Sequence, residues 1–156
     1  GDLVTQTQFQ YYDNNQINSV INYKNKRLNG KSTTWHKNGK IESELNYQDG
    51  DLVTQTQFQY YDNNQINSVI NYNNNRLNGK STFYWHKNGQ KFMEGSYKDD
   101  KPDGKWITWH KNGKIESESN YQDGNLVDQT KFKYTYFTGH LKSKEKYKDG
   151  KCIAGC

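Results

Sequence analysis

The 156-residue chain carries 22 Lys and Arg against 17 Asp and Glu, giving a formal charge of +5, a pI near 9.0 and a mean hydropathy of −1.31. No segment approaches the ~18 consecutive apolar residues of a membrane-spanning helix, so such a helix is excluded. A hydrophobic content of 30% alone leans toward disorder, but 15% of the residues are aromatic and strictly phased, which points to a folded chain with a thin core.

The phasing is that of a repeat. Residues 51–72 copy residues 2–23 letter for letter, and a finer motif, Trp35–Tyr47, reads W-H-K-N-G-K-I-E-S-E-L-N-Y. It recurs at Tyr11–Tyr23, Tyr60–Tyr72, Trp85–Tyr97, Trp109–Tyr121 and, with one extra loop residue, Tyr134–Tyr147. Six copies, spanning approximately 7–30, 31–54, 56–79, 81–104, 105–128 and 130–156, fill the chain. A unit this short cannot bury its apolar side alone, so the units must stack into one array over residues 1–156 with no second domain.

Each copy opens on a strand such as 31–36. The turn after it decides where the side chains go. A two-residue type I′ turn at Asn38-Gly39 places Trp35 opposite Ile41, Leu45 and Tyr47, whereas a three-residue loop, Lys37-Asn38-Gly39, pairs 36 with 40 and 35 with 41 and gathers those four residues on one face. The second reading fits the sequence better. Its left-handed slot is filled by Asn15, Gly39, Asn64, Gly89, Gly113 and Gly139, all tolerant of positive φ, while Thr138 in the preceding slot resists the positive φ of a type I′ turn. The unit is a β-hairpin, closed by a second strand such as 40–47 and followed by a looser connection containing Asp49-Gly50.

The second strands repeat Ile17-x-Ser19-x-Ile21-x-Tyr23, Ile41-x-Ser43-x-Leu45-x-Tyr47, Ile66-x-Ser68-x-Ile70-x-Tyr72 and Ile115-x-Ser117-x-Ser119-x-Tyr121. A small serine between larger residues leaves room for a neighbouring aromatic to lie across the strand. Copy four departs, with Lys91, Met93 and Gly95 in those slots and Phe92 out of phase, which predicts a local bulge or twist there. Five residues after each tyrosine come Leu28, Leu52, Leu77, Pro102 or Leu126, with Gly30, Gly79 or Gly104 two further on, a linker expected to dip one apolar side chain under the sheet and turn. No segment holds a sustained 3.6-residue apolar period, so the expected class is all-β: a single antiparallel sheet of twelve strands, elongated to about 55 Å at about 4.8 Å per strand.

The pattern Trp-x-x-Asn-Gly…Tyr-x-Asp-Gly-x-Leu-x-Gly, in phase across the chain, resembles the variant MORN repeat of bacterial proteins. The resemblance implies an elongated, curled antiparallel sheet used as an interaction platform. Some bacterial members carry an antitoxin or immunity label, and some eukaryotic ones are linked to membrane lipids. Copy six, with Thr138-Gly139 and the tail Cys152–Cys156, departs most, as a capping copy should.

Chemistry is sparse along the chain. His36, His86 and His110 each follow a repeat tryptophan, but equivalent positions two strands apart lie about 10 Å from one another, too far to share a metal, and they read as solvated positions beside the turn. Glu42/Glu44 and Glu116/Glu118 alternate outward opposite lysines. Cys152 and Cys156 can form a disulfide, bind metal or do neither. No phosphate-binding glycine loop, nucleophile elbow or Cys/His cluster occurs, so no catalytic residue, cofactor or metal is expected.

The lysines are dispersed among acids, which argues against nucleic acid and leaves peripheral contact with an anionic membrane as a weaker alternative. A single-layer sheet has an aromatic face with no second layer over it, so that face must curl, pair with another copy or meet a protein partner. The expected binding face comprises Trp35, Tyr47, Tyr60, Tyr72, Trp85, Tyr97, Trp106, Trp109 and Tyr121. Expected, then, is a non-enzymatic bacterial scaffold, with homo-oligomerisation through the face or an edge, or an immunity role, as alternatives. The chain lacks a signal-peptide pattern and begins at Gly1 like a mature end, so it reads as cytoplasmic or secreted.

Overall fold

Asn and Gly at fixed places in each copy set the turns, and the turns set the sheet. The computed structural model describes residues 4–85 and 88–156, among which there is no helix. The strands are β1 (Thr5–Tyr11), β2 (Ile17–Lys24), β3 (Arg27–Leu28), β4 (Gly30–Trp35), β5 (Ile41–Gln48), β6 (Asp51–Tyr60), β7 (Ile66–Asn73), β8 (Arg76–Leu77) and β9 (Gly79–Tyr84). They continue with β10 (Lys91–Lys98), β11 (Lys101–Trp109), β12 (Ile115–Gln122), β13 (Asn125–Tyr134), β14 (Leu141–Lys148) and β15 (Lys151–Ala154). All fifteen belong to one antiparallel sheet laid down in chain order, with β3 and β8 as short arms on β2 and β7. The expected twelve strands are therefore present, joined by a closing strand, β15, and two arms that glycines at 30 and 79 break from the strands that follow.

The hairpin loops are three residues long where the sequence predicts it. His36 N–H donates to Lys40 O at 2.8 Å and Gly39 N–H to His36 O at 2.8 Å, with Gly39 at φ +79. The same closure recurs at Tyr12–Gln16, Tyr61–Gln65 and His110–Lys114. The asparagine inside each loop has its own reason: Asn38 Oδ1 accepts the Lys40 N–H at 3.1 Å, and Asn14, Asn63, Asn88 and Asn112 do likewise two residues on. Copy four differs from its sequence alignment. Trp85 N–H closes onto Gln90 O and Tyr84, not Trp85, pairs with Lys91, so the loop has four residues and Tyr84 fills the slot of Trp35. Copy six has the expected longer loop, closed by Thr135 N–H on His140 O.

The connections between hairpins are tighter than expected. At Asn25-Lys26, Asp49-Gly50, Asn74-Asn75, Asp99-Asp100, Asp123-Gly124 and Asp149-Gly150 both residues have positive φ, the signature of two-residue type I′ turns. Leu28, Leu52, Leu77, Pro102 and Leu126 do not dip beneath the sheet as linkers. They sit in strands, each paired with the closing tyrosine of its own copy.

A second correction concerns the faces. A bulge interrupts all six hairpins, not copy four alone: Thr34 pairs with Ser43 while Trp35 pairs with Ile41, leaving Glu42 extra, and Asn18, Asn67, Phe92, Glu116 and Lys142 are extra in the same way. On the unbulged strand side chains alternate, so Thr34, which hydrogen-bonds Ser43 at 2.8 Å, faces away from Trp35. The bulge thus puts the Trp35–Ile41 pair on the face opposite Leu45 and Tyr47.

The face bearing Leu45 and Tyr47 is paved with serines. Ser19, Ser32, Ser43, Ser68, Ser81, Ser117 and Ser119 are all buried there, with no second layer over them. Longer neighbours close over them: Ser19 donates to Gln10 and Ser68 to Gln59 at 2.8 and 3.0 Å, and Gln129 donates to Ser119 at 2.9 Å. Each such bond contributes about 1 kcal/mol net, and burial of the serines would be unfavourable without them. Trp106 is the one buried large apolar side chain among the described residues, at 6% exposure.

Candidate interaction surface

The nine residues expected to form one aromatic face fall into two groups. Tyr47, Tyr72, Tyr97, Trp106 and Tyr121 lie on the serine face; there Trp106 stacks edge-on between Tyr97 and Tyr121, with ring centroids 5.0 and 6.3 Å away, and its Nε1 donates to Ser96 O at 3.1 Å. Burial pushes the Tyr97 hydroxyl above its ordinary pKa. Tyr97, Trp106 and Tyr121 thus pack on one another. Trp35, Tyr60 and Trp109 lie on the opposite face, toward the hairpin-loop end, and Trp85 stands at the base of its own loop, 4.6 Å from the bulge residue Phe92.

Along that loop end each copy is tied to the next. Tyr12 and Tyr61 hydroxyls donate to Trp35 O and Tyr84 O, both at 2.6 Å; Tyr60 and Tyr134 hydroxyls donate to Ile41 O and Ile115 O at 3.0 and 2.9 Å. Trp85 Nε1 donates to Trp109 O at 3.2 Å. Lysines lie over the rings: Lys40 over Tyr60, Lys114 over Tyr134 and Lys111 over Trp85, at 4.7, 5.0 and 5.2 Å. Sequence reasoning found the aromatics of this row but missed the lysines, although Lys40 and Lys114 hold the same place in their copies.

The histidines take a part that spacing alone did not reveal. His36 packs edge-on against Tyr60 at 5.9 Å, and His110 against Tyr134 at 6.1 Å; His86 lies outside the described residues. Each of these pairs lines an open hollow. One, of about 680 Å³, includes His36, Phe58 and Tyr60; the other, of about 830 Å³, includes His110, Phe132 and Tyr134. They are equivalent hollows at two of the junctions where a long first strand, here β6 or β13, follows directly on the preceding hairpin. The first also holds Lys37, Glu42 and Asp62, the second Lys111, Lys133 and Lys142, so similar hollows differ in charge, the second being the more basic.

Among the described residues no three His, Cys, Asp or Glu side chains are grouped to hold a metal ion. The acidic pairs divide as the bulge dictates. Glu44 and Glu118 meet Lys31 and Lys105 at 2.7 and 2.9 Å, while Glu42 and Glu116 are bulge residues. Glu94 meets both Lys80 and Lys91. Burial opposes its ionisation, but the hydrogen bonds and charges of the two lysines outweigh that and hold its carboxyl below the usual carboxylate range. Cys152, in the closing strand β15, is joined by a disulfide to Cys156, two residues beyond the strand's end.

Residues 7–25, 28–49, 56–74 and 102–123, more than half of the chain, match the model of the MORN repeat variant. The chain belongs to the MORN repeat variant family. The matched residues lie in MORN copies one, two, three and five, which share the three-residue loop, whereas the bodies of copies four and six, with four-residue loops, fall outside them. No curated protein matches the chain. A crystal structure of a protein with unknown function from Bacteroides fragilis NCTC 9343 aligns over 94% of this chain and 92% of its own, at 8% identity and a TM-score of 0.20, too low to bear on the arrangement of the MORN strands.

Proposed function

We propose that this MORN protein is a non-enzymatic scaffold that binds a protein partner through the loop-end aromatic row on the face opposite the serines. The observation that carries the reading is the hollow repeated at His36–Phe58–Tyr60 and His110–Phe132–Tyr134. A lining of half-buried aromatics, edged by lysines and backed by a rigid hydrogen-bonded sheet, is the composition of an interface core and rim. The wide, open form suits a protein surface better than a small substrate.

In the test, the immobilised full chain is offered a bacterial extract at about 50 and 200 mM salt. A protein retained at both, and lost when Phe58→Ser and Phe132→Ser are combined without change in the circular dichroism, supports the reading. A toxin as that protein would narrow the scaffold to an immunity protein. Retention by the double variant overturns the assignment of the surface. Loss between the two salt concentrations, with competition by nucleic acid or anionic vesicles, replaces the apolar surface with an electrostatic one.

A further inference from the structure

The tip of the sixth hairpin loop breaks a pattern that the other copies keep. The tips of copies one, two, three and five read Asp13-Asn14-Asn15, Lys37-Asn38-Gly39, Asp62-Asn63-Asn64 and Lys111-Asn112-Gly113, whereas copy six has Tyr136-Phe137-Thr138-Gly139. Both of its aromatics are 95% exposed, and they touch each other edge-on at 5.3 Å. The turn does not need them. Thr138 Oγ1 accepts the His140 N–H at 3.4 Å, as the loop asparagines do in their copies, and is bonded to Thr135 Oγ1 at 2.6 Å. Nor does the exposure of a tip depend on what adjoins its copy, because the polar tips at 37–39, 62–64 and 111–113 stay exposed with a copy on either side. Two adjacent aromatics held out in this way mark a contact surface.

The same copy carries the charge. Residues 130–156 hold seven lysines against Glu145 and Asp149, while the 15 basic and 15 acidic residues of 1–129 cancel, so the whole formal charge of +5 resides in copy six. Lys133 is tied to Glu145, but Lys142, Lys144, Lys146 and Lys148 are exposed and form no ion pair among the described residues. Lys144 lies over Phe132 at 5.2 Å and Lys114 over Tyr134 at 5.0 Å, so the basic row begins at the second hollow, which Lys111, Lys142 and Tyr136 also line. Among the described residues no Asp or Glu lines that hollow, Glu116 coming only to 4.0 Å of His110 Nδ1. Resting on the scaffold reading, whose second hollow it uses, we infer that the junction of copies five and six docks an acidic segment of the protein partner. An apolar side chain of that segment sits between Phe132 and the Tyr136–Phe137 tip, and its carboxylates meet Lys111, Lys142 and Lys144. Aromatic anchors give such a contact its area, and the lysines around them give it orientation and a choice of partner. A long phosphate chain or a membrane plane along the loop end is a poorer occupant. It would also meet Asp13, Glu42 and Asp62, in a stretch, residues 1–79, where seven basic and seven acidic residues cancel. A short segment meets the basic end alone.

The test titrates the full chain into a labelled peptide of Asp and Glu with one central Phe, and into its neutral counterpart with Asn and Gln for the acids, read by fluorescence anisotropy. Saturable one-to-one binding of the acidic peptide is expected, at least tenfold tighter than that of the neutral one. Lys111→Glu combined with Lys142→Glu, both exposed, should remove that preference, and Tyr136→Ser combined with Phe137→Ser should weaken both peptides while the circular dichroism stays unchanged. Equal binding of the two peptides, no saturable binding, or indifference to the lysine pair would overturn the inference. So would tighter binding of oligothymidylate or of phosphatidylserine vesicles that displaces the acidic peptide, since the ligand would then be a phosphate surface. The two readings fail separately: a chain that retains a protein through Phe58 and Phe132 but does not bind the peptide overturns this inference alone, whereas peptide binding with no protein retained overturns the scaffold reading.

Discussion

Copies one to three and the junction of copies four and five fill the same space on the serine face in opposite ways. In the first region the order across neighbouring strands is large, small, large: extending the Ser19–Thr34 and Val20–Thr33 pairs by one step sets Ile21 beside Ser32, and Ser32 pairs with Leu45. At the junction it is small, large, small. Gly95 lies beside Trp106, which pairs with Ser119, and a Cβ on Gly95 would collide with the indole. Hence the array fixes the total volume of a row, not the residue in each slot, as close packing requires. The sequence presented copy four as a local defect, but it is half of an exchange whose other half is in copy five.

The largest effect should come from breaking that exchange. Trp106→Ala is expected to cost about 3–5 kcal/mol in urea denaturation, and Gly95→Ala about 1–3 kcal/mol by overpacking. Gly95→Ile combined with Trp106→Ser restores the order seen at Ile21–Ser32, so it should cost less than Trp106→Ser alone. If the two changes merely add, the volume exchange is wrong.

The loops separate the copies less than the packing does. Gly113, at φ +80, should lose about 1–3 kcal/mol on change to Val, against about 1 kcal/mol or less for Lys111→Val at the first loop position, where the lysine's contact with Trp85 is the main loss. Equal losses would contradict the three-residue loop in copy five.

A smaller contrast lies in charge. Glu94 in copy four serves two lysines where Glu44 and Glu118 each serve one. Its folded pKa is below its unfolded value, so its contribution is complete above the ordinary carboxylate range and is lost as pH falls through the depressed value. Glu94→Gln should therefore destabilise by about 1 kcal/mol at neutral pH and by progressively less below about pH 4.5, and a gap that persists at pH 2 would refute the assignment.

The smallest expected effect is a gain. Lys26 holds φ +64 in a type I′ turn where three of the other five connections have Gly, and Lys26→Gly should raise stability by about 0.5–1 kcal/mol in thermal melts. A loss would mean that the lysine side chain contributes more than its backbone costs.

The repeat, the all-β class, the three-residue loops and the left-handed slots were legible because each depends on neighbours within a few residues. Gly39, Asn38 and the period of 24 or 25 state their own geometry. The faces were not legible. A one-residue bulge at Glu42 reverses the phase of every side chain beyond it, and nothing in a two-residue alternation records a bulge before the pairing is known. Likewise Trp85 matched Trp35 letter for letter, yet the loop closed one residue earlier and gave the slot to Tyr84. The identical strands β1 and β6 show the same division: sequence alone set their register with the next strand, and only the presence or absence of β5 decided whether Phe58 and Tyr60, or Phe9 and Tyr11, were sheltered, because burial belongs to the neighbour as much as to the residue.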